Sequence, residues 1–162
     1  DDNQFIKKIK ARFDIEKKLS AAELLSEMDQ CRASDTINLG ALTRVGNAYL
    51  LSYKGEENWS SDLSTASQAL DVNVLHQLIL KPACGIDTRN QHDLGHLAYV
   101  RGNEPPLEMI KNVSDYDFVF FVNPPDLDQI FDVAETGETM PQKSTYFYPK
   151  VYSGLVTAGI GD

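Results

Sequence analysis

Apolar residues recur at helical spacing at the start of the chain, where Phe5, Ile6, Ile9 and Phe13 are separated by lysines, and the pattern then tightens to the alternation Asp14-Ile15-Glu16. A helix followed by a brief strand is expected. Ser20-Ala21-Ala22-Glu23 has the form of a capping box, and Leu24, Leu25 and Met28 supply the buried stripe of the helix it would open. The runs 36–43 and 48–53 are apolar or β-branched and flank Arg44-Val45-Gly46-Asn47, whose Gly and Asn tolerate positive φ. This predicts two adjacent antiparallel strands. A polar stretch over 54–65 reads as a surface loop, and in 70–80 Val74, Leu75, Leu78 and Ile79 share one helical face that should end before Pro82.

In the second half, 96–100 reads as a short strand and 106–113 as a helix. The wholly apolar run 118–122 reads as a central buried strand. Asn123-Pro124-Pro125-Asp126 then breaks the chain and starts a helix carrying Leu127, Ile130, Phe131 and Ala134, which stops near Gly137. Strands and helices alternate without repeats or a linker. The expected fold is α/β (or α+β): a single domain over 1–162 with a mixed β-sheet, an antiparallel hairpin and flanking helices.

Twenty-four acidic against fifteen basic residues leave a net charge of −9, spread along the chain, which argues against a broad nucleic-acid surface. Any anion must be met by a local pocket. Cys31 and Cys84 are too far apart for a zinc pair or a redox C-x-x-C motif, which favours a reducing, cytoplasmic setting. No apolar run approaches the ~18 residues of a membrane span, so no membrane partner is expected. The chain opens at Asp1 without an initiator Met and runs straight into a helical pattern, so either processing or a piece of a longer protein is expected, the second in preference.

Against this acidic background, 140–150 gathers Lys143 and Lys150, the hydroxyls of Ser144 and Thr145, and Tyr146, Phe147 and Tyr148 between Pro141 and Pro149. Amines and adjacent hydroxyls can neutralise and hydrogen-bond a phosphate or carboxylate, and prolines reduce the entropy lost on binding. The same residues also suit an ordinary packed edge with surface lysines. Gly137 to Ser144 has the spacing of a phosphate-binding P-loop, but Gln142 stands where the second Gly belongs, and Gly137 follows a helix, not a strand. His92 and His96 have a metal-ligand spacing if helical, but Gly95 lies between them and two surface histidines fit better; no metal site is assigned. His76, among Val74, Leu75, Leu78 and Ile79, is a minor ligand-binding candidate beside the reading as a satisfied helix residue. Asn123, at the end of the apolar strand where open α/β sheets place ligands, either orients a ligand or caps the next helix. No catalytic triad or nucleophile pattern stands out, so the catalytic residues are unknown.

Leu70-Asp71-Val72-Asn73-Val74-Leu75-His76 with Leu78-Ile79-Leu80, Gly85-Ile86-Asp87, Phe120-Phe121-Val122-Asn123-Pro124, Met140-Pro141 with Lys143-Ser144-Thr145-Tyr146-Phe147-Tyr148-Pro149-Lys150, and Ser153-Gly154-Leu155-Val156 follow one another in an order and spacing that resembles the carboxyl-terminal half of a family known as domain of unknown function 1015. Longer members carry, upstream of this region, a Gly-His-His-Arg-Tyr-Glu type motif that looks like the nucleotide-associated motif of ParB-like proteins and of ADP-dependent free-serine kinases. This chain has no such motif. The resemblance implies a carboxyl-terminal domain that works with the upstream half of its parent, with the loop facing a phosphorylated small molecule or nucleotide. Lys143 and Lys150 would neutralise phosphate, Ser144 and Thr145 would donate to its oxygens, and Tyr148 would pack the loop or cover a base or sugar. Asn123 would orient the ligand. Magnesium is implied only with a nucleotide, with Asp87 as a candidate carboxylate. The rival expectation is a non-catalytic interaction or self-association domain, with a homo-oligomer as one form and the 146–149 aromatics buried against a partner.

Overall fold

Ser20, Ser64 and Asp126 each place a side-chain oxygen on an amide that the helix after it leaves open. The computed structural model describes residues 2–32, 34, 36–55, 59–60, 62–100, 115–141 and 144. Helix α1 (Asp2–Ile9) buries Phe5 and Ile9, and the chain turns directly into strand β1 (Phe13–Lys18). Helix α2 (Ala21–Cys31) opens on Ser20, whose Oγ accepts from the Glu23 amide at 3.1 Å. The Glu23 carboxylate reaches back to the amide of Leu19 at 2.6 Å, so the box closes one residue ahead of the cap. Strands β2 (Asn38–Thr43) and β3 (Ala48–Tyr53) form the expected hairpin, with Ala41 opposite Tyr49 and Gly46 at φ 84° in the turn.

Helices α3 (Thr65–Gln68) and α4 (Asp71–Val74) follow, and α4 continues as a π-helix over Leu75–Cys84. The sequence pattern predicts an end before Pro82; the structure carries the helix through. A π-helical register hands each carbonyl to the amide five residues on, which suits a proline whose ring would press on the carbonyl four residues back in an α-helix. Gly85, left-handed at φ 73°, closes the end by donating to Leu80 O. The strand expected over 96–100 is not formed: Asp93–His96 is a 3-10 turn and the next four residues have no regular structure. The helix expected over 106–113 lies outside the described residues. Strand β4 (Phe118–Phe121) leads into helix α5 (Leu127–Glu135), where Asp126 Oδ1 accepts from the Gln129 amide at 2.8 Å and Gln129 Oε1 accepts from the Asp126 amide at 3.1 Å.

The four strands form one sheet in the order β1-β3-β2-β4, antiparallel at each of its pairings. Alternation along the strands divides the core. Leu39, Ala41, Leu51 and Tyr53 face α1 and the α4–π helix, meeting Phe5, Ile9, Val74, Leu78 and Ile79. Leu42, Ala48 and Leu50 face Leu24 and Met28 of α2. β4 follows the same rule, with Phe118 and Phe120 turned to the first face and Val119 and Phe121 to the second. Its unbroken apolar run therefore reflects a sheet covered on both faces, while among the described residues it sits at the sheet's edge and not at its centre. Gly40 is the point of closest approach: a Cβ there would lie 2.7 Å from Met28 Sδ and 3.1 Å from Phe121 Cβ. No helix among the described residues is long and apolar enough to cross a membrane.

Candidate functional site

The segment just before the lysine-bearing stretch 143–150 is held by a carboxylate. After α5 the chain turns at Gly137, φ 78°, and Glu138 reaches across to α3, accepting from the Ser64 amide at 2.7 Å and from the Ser67 hydroxyl. Ser67 is buried, and these donors, the Ser67 hydroxyl first, hold the Glu138 carboxyl below its usual pKa. Ser144 then folds back on Pro141, whose carbonyl accepts from both the Ser144 amide at 3.2 Å and its hydroxyl at 2.6 Å. Of the candidates in 143–150, Ser144 is thus turned onto Pro141, its oxygen still able to accept a hydrogen bond. Lys143, Thr145, Tyr148 and Lys150 lie outside the described residues.

A polar seam runs from this anchor to the end of β4. Asn73 donates to Ser67 O at 2.8 Å, and two residues earlier Asp71, at the start of α4, accepts from both the amide of Asn123 at 3.1 Å and its Nδ2 at 3.0 Å. The same Nδ2 donates to Asn38 O at 3.1 Å. Asn38, buried in β2, accepts from Ser52 Oγ at 2.7 Å and donates to Thr36 O at 2.8 Å. Asn123 does not cap α5, a role Asp126 fills; both of its side-chain donor directions go to fastening β4 and β2 to α4. Burial raises the Asp71 pKa, against the lowering effect of the Asn123 donors.

His76 is 7 % exposed, and its Nδ1 shares a hydrogen bond of 3.3 Å with Thr88 Oγ1. Burial lowers its pKa to about 4, so the ring is neutral near pH 7. It is buried, three residues beyond Asn73 on the helix that brings Val74, Leu75, Leu78 and Ile79 into the first core face, and not on an open surface. Asp87, the candidate magnesium carboxylate, is occupied by cations of the chain: Lys81 Nζ stands 2.9 Å from Oδ2 and Arg89 Nε 3.4 Å from Oδ1. The Lys81 ammonium, the Arg89 amide and the Arg89 side chain hold its pKa at about 2. A magnesium ion at Asp87 would have to displace these partners. His92 and His96 are both exposed on the 3-10 turn, and no group of three or more His, Cys, Asp or Glu among the described residues could hold a metal.

The structure thus separates the candidates. Asn123 joins the seam, His76 is buried against Thr88, and Ser144 turns on Pro141. Asp71, Asn38 and Glu138, which the seam and anchor depend on, carry no local sequence signal: Asp71 lies 52 residues from Asn123, and Glu138 lies 74 from Ser64. Compared with models of protein families, with curated proteins and with solved structures, the chain matches none of them.

Proposed function

We propose that this chain is the carboxyl-terminal domain of a cytoplasmic protein related to the domain-of-unknown-function 1015 family, and that it binds a phosphorylated small molecule or nucleotide through 143–150. The observation that supports this reading is the anchoring of the loop's approach: Glu138 ties it to Ser64 and Ser67, and Ser144 turns it on Pro141. A loop whose entry is fixed loses less entropy when its lysines close on an anion. Lys143 and Lys150 supply charge, Ser144 and Thr145 hydrogen bonds, and Tyr148 a flat surface for a base or sugar. A ParB-like or kinase-like reaction belongs to the whole parent, whose upstream half would complete the site. Titration calorimetry with ADP, ATP, CTP and free phosphate, with and without magnesium, tests the reading. Saturable binding that disappears in Lys143→Ala at unchanged melting temperature is expected; silence from every anion with the wild-type chain refutes binding by this domain.

A second reading, an interaction domain, has its own support. Leu127 and Phe131 of α5 are each 63 % exposed and one helical turn apart. Contiguous exposed apolar side chains on a helix mark a contact surface. A photo-crosslinking amino acid placed at 131 in the full-length parent should give a defined adduct, and the same group at exposed Asp14 should not. Equal labelling at both positions, or none at 131, removes this reading.

A further inference from the structure

We infer that α5 is a docking face for a basic amphipathic segment of a partner polypeptide, an inference that rests on the interaction-domain reading above. At 3.6 residues per turn, Leu127, Phe131 and Ala134 fall within a stripe roughly 60° wide, and all three are exposed. On one side of the stripe Ile130 is half-buried and Val133 fully buried. On the other side, about 100° round the helix, Asp128, Asp132 and Glu135 form an exposed acidic row. The face is therefore an apolar strip with the core along one margin and negative charge along the other.

Charge decides what suits it. The helix Leu127–Glu135 contains no Lys or Arg, and its last turn has no basic residue, so Glu135 and the open carbonyls of the carboxyl end are left without a cation from the helix itself. A second copy would bring another net charge of −9 and an equally acidic α5, offering the row no counter-charge from that helix. A segment with apolar residues on one face and Lys or Arg beside them would cover Leu127 and Phe131 and at the same time pair with Asp128, Asp132 and Glu135. Such partners commonly lie as a helix along the exposed helix, with anchors at the i and i+4 positions.

The probe is a fluorescein-labelled helical peptide of about five turns built from Leu and Lys in amphipathic order, compared with a peptide in which every Lys is Glu. Fluorescence anisotropy should show saturable binding of the Lys peptide that weakens at higher salt, and none of the Glu peptide. Leu127→Ser with Phe131→Ser should weaken the Lys peptide by about tenfold or more, as expected for central apolar anchors. Asp128→Lys with Asp132→Lys should weaken it comparably, while Asp14→Lys with Asp29→Lys, an equal change of charge elsewhere on the surface, should leave it unchanged. If the two charge reversals act alike, attraction is to the whole acidic chain and the proposed face is refuted. If both peptides bind alike, or neither binds, the partner's chemistry is refuted, and an adduct from position 131 then still upholds the interaction reading. Loss of that adduct removes both.

Discussion

The buried histidine gives the sharpest quantitative test. In the native chain His76 is buried and its pKa is lowered to about 4, whereas an unfolded chain restores the ordinary value of 6.5. Between these values the unfolded state takes up a proton that the native state refuses. Stability is therefore complete above pH 6.5 and is lost as the pH falls toward 4, below which both states are protonated and the loss stops growing. At about 1.4 kcal/mol for each tenfold change in proton affinity, the whole interval corresponds to about 3 kcal/mol, and the part between pH 7 and pH 5 to about 2 kcal/mol. Other groups also titrate across this range, so the measurement is a difference. Urea unfolding of the wild-type chain and of His76→Leu, which cannot titrate, should be compared at both pH values. Wild type should lose about 2 kcal/mol more than the variant on going to pH 5. Equal losses would mean that His76 accepts its proton in the folded chain as readily as in the unfolded one, and that its burial does not keep water from the ring.

Two further outcomes follow from the packing and the polar seam. Gly40→Ala should destabilise by about 1–3 kcal/mol in urea, because Met28 Sδ can swing aside but Phe121 Cβ cannot; an unchanged midpoint would show that β4 shifts freely at the edge. Asn123→Ala removes two of the donors in the seam and should cost about 1–3 kcal/mol at neutral pH. Because burial raises the Asp71 pKa, the native state favours its protonated form, so stability from this group increases as the pH falls. The Asn123→Ala penalty should accordingly shrink in acid, where Asp71 needs no donor; a penalty independent of pH would place the effect outside the Asp71 contact.

The local elements were legible in the amino-acid sequence because their determinants are close together. Ser20 with Glu23, Asp126 ahead of Leu127, and the turn around Gly46 each act over a few residues, and the structure forms α2, α5 and the β2–β3 hairpin where they predict. What could not be read locally were choices made by distant partners. Pattern alone shows that 118–121 is covered on both faces but not which strands lie beside it, since face burial and sheet order are set by different contacts; only the tertiary structure puts β4 against β2 at the edge. Likewise, Pro82 forbids an α-helical continuation, yet packing of Leu78, Ile79 and Leu80 into the core accompanies a π-helical register that accommodates it. For the candidate site, composition alone identified the lysine-rich loop. The anchor through Glu138, the clasp of Asn123 by Asp71 and the occupation of Asp87 by Lys81 and Arg89 were decided by the fold, because a charged or amide side chain takes whichever partner the folded chain brings within about 3 Å.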